Sequence, residues 1–158
     1  MINDQLHELK DRLNSILKGK VVFMGIGNIL MGDDGIGPEL LSRFAEKGMY
    51  TVNAGTVPEN YVRSVVKLAP DTVIIVDAVH LDKDPGTVEL LDRNDIKAGT
   101  GFTTHSLSPV LVMERLEEET GAPVFLLAIQ PGSIKFGAPL SPALSDLLDV
   151  LTDLLAVS

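Results

Sequence analysis

Residues 21–37 read VVFMGIGNILMGDDGIG and carry the clearest structural signal in the chain. Residues 21–24 are a short apolar strand, a glycine-rich loop follows, and the next apolar periodicity predicts a helix over residues 35–47. A strand, a glycine loop and a helix first suggest a dinucleotide site, but the third glycine that such a site needs for helix packing is missing. Asp33 and Asp34 would also repel a pyrophosphate, and no Gly-Lys-Ser/Thr follows, so nucleotide binding is disfavoured.

The rest of the chain alternates between strand and helix patterns. Strands are predicted at 50–53, 72–76, 86–91 and 123–129, and helices at 3–18 (with Asn3 or Asp4 as N-cap), 59–68, 106–119 and 141–157. This order predicts an α/β fold, a three-layer sandwich with a mostly parallel, five-stranded twisted sheet and helices on both faces. Residues 1–158 are predicted to form a single domain, with an extra N-terminal helix (1–19) before the main body (20–158).

Composition narrows the classes of partner. The chain has 158 residues, no cysteine and a net charge of -9. Without cysteine there is no disulfide, thiolate metal site or thiol nucleophile within this chain, which fits a cytoplasmic location. The negative charge disfavours nucleic acid as a partner. The N-terminus has no signal-peptide pattern and the apolar runs are shorter than the roughly 20 residues that cross a bilayer, so no membrane insertion is expected.

Three aspartates lie where a parallel sheet binds its ligands, beyond the carboxyl ends of the strands, and two histidines are further candidates. Asp33 and Asp34 precede a helix, where one carboxylate can act as an N-cap worth about 1 kcal/mol, while the second has no evident structural role. Asp77 ends an apolar strand, where a carboxylate needs a cap, a cation or a metal. His105 lies in the loop sequence TTHS and is either a surface residue or a ligand, and His80 is a weaker candidate.

Two carboxylates and one imidazole can form an open metal site. Oxygen and nitrogen ligands without sulfur suit nickel, zinc or manganese, and three protein ligands leave positions for water or an incoming group. The His-Glu-x-x-His motif of zinc peptidases and the Gly-x-Ser-x-Gly motif of serine hydrolases are both absent. The residues alone therefore indicate a metal-binding α/β domain without specifying its use.

Three motifs resemble those of the nickel–iron hydrogenase maturation endopeptidases. GIGNILMGDDGIG at 25–37 is similar to the first family motif over its full length, IIVDAV at 74–79 resembles the second, and TTH at 103–105 the third. GTVPEN at 55–60 and AIQPGSIKFGAPLSP at 128–142 look most like the subgroup that serves formate-hydrogenlyase-type, energy-converting hydrogenases.

The resemblance implies an endopeptidase that removes the C-terminal extension of the hydrogenase large-subunit precursor after nickel insertion. It implies that the partner is this precursor, that nickel is supplied by it and that the site is empty in the isolated protein. The sequence leaves the oligomeric state open, with a monomer favoured. The implied roles are metal ligands at Asp34, Asp77 and His105, catalytic acids at Asp33 and Asp34, and substrate-positioning residues at Gly25, Gly27, Asn28, Gly35, Gly37 and Asn53. The glycines are expected to let a substrate backbone approach closely.

Three alternatives and two departures from the family pattern remain. The chain could be a hydrolase with its own bound zinc or manganese, a non-enzymatic nickel-binding escort module, or a peptidase that acts on other protein precursors. Asn53 stands where many relatives have an aspartate, so it can position a substrate but cannot act as a base. The helix at 3–18 is a second departure, which either packs against the sheet or the last helix, or serves in docking or dimer formation.

Overall fold

The computed structural model describes residues 2–98 and 109–156. Its helices are α1 Ile2–Ile16, α2 Ile36–Glu46, α3 Val62–Lys67, α4 Arg93–Ala98, α5 Pro109–Thr120 and α6 Pro142–Leu155. Its strands are β1 Val21–Ile26, β2 Tyr50–Gly55, β3 Thr72–Ala78, β4 Val88–Leu91 and β5 Val124–Ile129, and two short 3-10 turns lie at Gly32–Gly35 and Pro58–Asn60. Within these residues, no helix combines the length and the apolar character that crossing a membrane demands.

The five strands form one sheet in the order β2-β1-β3-β5-β4. The first four run parallel to their neighbours, and β4 pairs with β5 in the antiparallel direction at the edge. Gly25 of β1 is in register with Asn53 of β2 and Val76 of β3, and Asp77 of β3 with Ala128 of β5. The predicted mostly parallel, five-stranded sheet is confirmed, and the carboxyl ends of four strands meet at one edge.

Each face of the sheet carries its own apolar core, as the three-layer prediction requires. On one face, α1, α2 and α6 pack over the strand residues Phe23, Ile74, Val76 and Leu127. On the other, α3, α4 and α5 pack over Val22, Met24, Ile75 and Leu126. Alternate residues of β1 and β3 serve opposite faces because successive side chains of a strand point to opposite sides. By this alternation Asp77 belongs to the α3 and α5 side.

The N-terminal helix packs against the sheet, which is one of the two outcomes expected for it. Leu9 and Leu13 of α1 are buried in the first core. Gln5 Nε2 donates a 2.9 Å hydrogen bond to the carbonyl oxygen of Val88, and Arg12 Nη1 donates to that of Leu90. These two carbonyls belong to β4, the edge strand, so α1 satisfies backbone groups that an open edge would leave unpaired.

Several predicted element boundaries are wrong in detail. The segment 59–68 contains a 3-10 turn and the shorter helix α3 rather than one helix, and α1 begins at Ile2, so neither Asn3 nor Asp4 is its N-cap. Residues 106–108 of the helix predicted at 106–119 lie outside the described residues. The sequence prediction also missed α4. That helix starts with reciprocal hydrogen bonds, in which Asp95 N–H donates to Asp92 Oδ1 at 2.7 Å and Asp92 N–H to Asp95 Oδ2 at 2.9 Å.

Candidate functional site

The loop between β1 and α2 is folded back on itself at the carboxyl edge of the sheet. Gly27 follows β1 with φ +146°, a region that favours glycine, and its N–H donates to the carbonyl of Gly55 at 2.9 Å. A Cβ on Gly27 would lie 2.0 Å from the carbonyl oxygen of Asp34. The loop therefore closes tightly enough to bring Asp34 back over the end of β1.

Asp34 is held in this loop by its own neighbours. The N–H of Asn28 donates to Asp34 Oδ2 at 2.9 Å, and the N–H of Leu30 donates to Asn28 Oδ1 at 2.9 Å. The Asn28 side-chain oxygen thus closes a local turn, and the substrate-positioning role of Asn28 stays a prediction. Among residues 2–98 and 109–156, Oδ1 of the half-buried Asp34 accepts no hydrogen bond. Among the described residues, therefore, one carboxylate oxygen of Asp34 is fixed by a hydrogen bond and the other is not.

Asp77 lies close enough to Asp34 for their charges to interact. Its side chain, at the end of β3, is 4% exposed. Burial, together with the negative charge of Asp34, raises the pKa of Asp77 well above its usual range, and the hydrogen bond from the Ala78 N–H lowers it only in part. Removal from water disfavours the charged form of a carboxylate, and a like charge nearby adds to that cost. The structure therefore brings together two of the three predicted metal ligands.

His105, the third predicted ligand, lies outside the described residues, as does the rest of the TTH motif. Within the two described ranges, no group of three His, Asp or Glu side chains is arranged to hold a metal ion. Asp34 and Asp77 together supply two carboxylates on the same edge of the sheet. Their donor set fits a divalent cation, because hard oxygen ligands and a net negative charge both favour one.

Asp33 has a different environment from Asp34. Its side chain is fully buried, and its carboxylate accepts hydrogen bonds from the N–H of Gly132 at 2.8 Å, the N–H of Ser141 at 2.7 Å and the hydroxyl of Ser141 at 2.8 Å. Ser141 is the N-cap residue of α6. Asp33 therefore places its negative charge at the positive end of α6, which lies more than 100 residues further along the chain.

The expectation that an aspartate caps the helix after the loop is wrong. The N-cap residue of the 3-10 turn is Met31 and that of α2 is Gly35. At neither position does a side chain form a capping hydrogen bond. Three donors and complete burial also favour a positioning role for Asp33 over proton transfer to a water molecule. Its predicted catalytic role stays a prediction.

The expected function of the glycines needs correction. A Cβ on Gly37 would lie 2.5 Å from the carbonyl oxygen of Ile26 and 2.6 Å from that of Val76, so the first turn of α2 packs directly on β1 and β3. The corresponding space at Gly25 is occupied by Leu41 and at Gly35 by the backbone of Ile29. These atoms, like Asp34 at Gly27, belong to this chain, so the glycines do not leave room for a substrate backbone.

Asn53 lies on the exposed side of β2, in register with Gly25. Its Oδ1 accepts a 3.3 Å hydrogen bond from the N–H of Gly55. This places an amide beside the first strand of the site, and its substrate-positioning role stays a prediction.

Sequence reasoning missed two features of the site. One is the pair of donors at Gly132 and Ser141, for which the polar, glycine- and proline-rich segment 130–142 was the available signal. The other is a set of exposed apolar side chains, Ile29, Leu30 and Phe136, on the two loops that Asp33 connects. Apolar residues are ordinarily assigned to a core, so their exposure could be recognised only from the fold.

Comparison with known proteins agrees with this architecture. The family model for hydrogenase maturation protease matches residues 36–156. Hydrogenase 3 maturation protease of Escherichia coli K12 is 33% identical over 133 residues, which cover 82% of this chain and 85% of that protein. The crystal structure of a NiFe hydrogenase maturation protease, HycI from Thermococcus kodakarensis KOD1, has a TM-score of 0.82 and 30% identity and covers 94% of this chain and 96% of that one.

A more distant structure shares the fold alone. The maturating endopeptidase HybD from Escherichia coli is 20% identical, with a TM-score of 0.68 over 87% of this chain and 90% of its own. The family model spans more than half of the chain and includes Asp77, and the relatives above cover more than two thirds of it. The chain belongs to the hydrogenase maturation protease family.

Proposed function

We propose that this protein is an endopeptidase that removes the C-terminal extension of a NiFe hydrogenase large-subunit precursor after nickel insertion, and that it recognises the nickel carried by that precursor. In this proposal Asp34, Asp77 and His105 are the protein ligands. The nickel is part of the substrate, so the protease needs no metal of its own.

The observation that carries the proposal is the burial of Asp77 beside a second carboxylate, that of Asp34. Burial, and in addition the negative charge of Asp34, raise the pKa of Asp77 and disfavour its charged form. A divalent cation placed between the two carboxylates would favour the charged form of Asp77. Oδ1 of Asp34, which accepts no hydrogen bond from the described residues, and the end of β3 lie at the same edge of the sheet, where a substrate can approach.

The protease can distinguish nickel-loaded from nickel-free precursor because its own residues bind the metal only weakly. Two carboxylates and one imidazole give a metal few protein ligands, so tight binding requires further ligands from the precursor. The difference in affinity between nickel-loaded and nickel-free precursor then determines which one is cleaved. The water that attacks the peptide bond is activated by the substrate nickel or by a carboxylate.

The test is cleavage of purified precursor with and without nickel, followed by mass spectrometry of the released peptide. Wild-type protein should shorten only the nickel-loaded precursor. Asp34→Asn, Asp77→Asn and His105→Ala should each abolish cleavage with the fold intact. Asp153→Asn, which removes an exposed carboxylate on α6, is the matched control and should cleave normally.

Three results would contradict the proposal. Equal cleavage of nickel-free precursor would remove nickel as the recognised element. Stoichiometric zinc or manganese in the purified active protein would indicate a hydrolase with its own metal. Binding of the precursor without any released peptide would indicate an escort module instead of a protease.

A further inference from the structure

Three large apolar side chains are exposed beside the site. Ile29 is 62% exposed, Leu30 56% and Phe136 72%, and together they are called the apolar lip. Contiguous exposed apolar residues at one place on a protein surface mark interaction sites more often than single ones do. Here they stand on a chain whose net charge is -9, so the lip is an apolar area on an acidic protein.

The apolar lip is held by two loops that are fastened to each other. The N–H of Gly137 donates to the carbonyl of Leu30 at 2.8 Å, which places Phe136 beside Leu30. The N–H of Asp33 donates to the carbonyl of Ser133 at 2.8 Å, and the Asp33 carboxylate takes up donors from the same segment. Because hydrogen bonds fix the backbone on both sides, little ordering is needed when a partner binds.

The position of the apolar lip beside Asp34 indicates which partner binds to it. Ile29 and Leu30 follow Asn28 directly, and the Asn28 N–H is hydrogen-bonded to the carboxylate of Asp34. The backbone of Ile29 packs on Gly35, the residue after Asp34. A macromolecule that brings a metal ion to Asp34 must therefore cover residues 29 and 30 as well.

We infer that the apolar lip is the docking surface for the precursor, and that it binds apolar side chains of the precursor independently of nickel. This inference rests on the proposed function for the identity of the partner. Binding has two parts: the lip supplies contact area that is the same for loaded and nickel-free precursor, and the two carboxylates add the preference for nickel. Since apolar contacts carry no charge, the contribution of the lip should change little with salt.

The experiment compares Leu30→Ser, Phe136→Ser and the double variant with wild type. The dissociation constant for nickel-free precursor is measured by calorimetry, and kcat and KM are measured on nickel-loaded precursor. Loss of one apolar side chain from a contact should raise the dissociation constant about tenfold. KM should rise by a similar factor while kcat at saturating precursor is unchanged. Because Leu30 and Phe136 are both exposed, the variants should remain folded, and circular dichroism checks this.

Two controls separate this inference from the proposed function. Tyr50→Ser removes a side chain that is 47% exposed at the start of β2, the opposite end of the sheet, and should leave both measurements unchanged. Asp77→Asn should abolish cleavage but leave the affinity for nickel-free precursor intact. If nickel proves irrelevant while the lip variants still lose affinity, the proposed recognition fails and the docking surface stands.

An unchanged dissociation constant and KM in the double variant would overturn the inference. A second overturning result is self-association. If wild type sediments as a dimer and the double variant as a monomer with unaltered precursor affinity, the apolar lip is a contact between two copies of this chain.

Discussion

Asp33 and Asp34 are adjacent in the chain, yet their carboxylates have opposite environments. Asp33 is fully buried and accepts three hydrogen bonds, whereas Asp34 is half-buried and has one oxygen without a hydrogen bond among the described residues. The sequence predicted a functional role for the pair but could not distinguish the two residues. The information that divides them lies at Gly132 and Ser141, roughly 100 positions away, and no local pattern contains it.

Asp33→Asn should lower the free energy of unfolding by about 2 kcal/mol, because an amide nitrogen would face donors that now bond to a carboxylate oxygen. Hydrogen exchange should increase across residues 132–141, whose link to the loop is weakened. At a temperature where the variant is fully folded, cleavage of precursor should fall by no more than a few-fold. Complete loss of cleavage with unaltered exchange in 132–141 would instead establish a chemical role for Asp33.

Asp77 makes the stability of the metal-free protein depend on pH. Its folded pKa lies above the value of about 3.9 expected in an unfolded chain, so the folded state binds the proton more tightly. The contribution of Asp77 to the free energy of unfolding is fully present below the pKa of the unfolded state. It is lost as the pH rises through the pKa of the folded state. Asp77→Asn should therefore gain stability over wild type as the pH is raised.

Urea denaturation at intervals from pH 4 to pH 8 measures this difference. The two proteins should be similar near pH 4, and the variant should be the more stable one above the folded pKa. A difference that is constant across the range would mean that burial and the neighbouring Asp34 do not raise the pKa of Asp77 in solution.

At the scale of elements, the contact between α2 and the sheet depends on a missing side chain. Gly37 allows the first turn of α2 to meet the carbonyl oxygens of Ile26, the last residue of β1, and of Val76, near the end of β3. The sequence correctly predicted α2 and both strands from their apolar periodicity. The sequence analysis assigned the glycines to contact with a substrate backbone. A glycine that allows a close backbone contact looks the same in sequence whether the other backbone belongs to a substrate or to the same chain.

Gly37→Ala should destabilise the protein by about 2 kcal/mol or more, because the new methyl group meets backbone atoms that cannot turn aside. Helix propensity alone predicts a gain of about 1 kcal/mol for the same change, so the sign of the effect decides between packing and propensity. Ser42→Ala, on the exposed face of α2, is the control and should be neutral or slightly stabilising. Thermal unfolding measures both variants, and a stabilised Gly37→Ala would show that α2 sits less tightly than described.

At the scale of the whole molecule, alternation of strands and helices was sufficient to predict the fold class and the number of strands. The order β2-β1-β3-β5-β4 and the antiparallel direction of β4 were not predicted, because pairing depends on contacts between distant segments. The six-residue helix α4 was missed because it is too short to show periodicity. Its cap at Asp92 and Asp95 was the available local signal.

Asp33, through its hydrogen bonds to Gly132 and Ser141, also determines when during synthesis the fold can be completed. Its partners lie 99 and 108 positions downstream, so a ribosome releases residue 33 long before residues 132 and 141. Domains generally complete their folding only after the chain that they need has emerged. A nascent chain therefore holds Asp33 without these hydrogen bonds until residues 132 and 141 have emerged and folded against the loop.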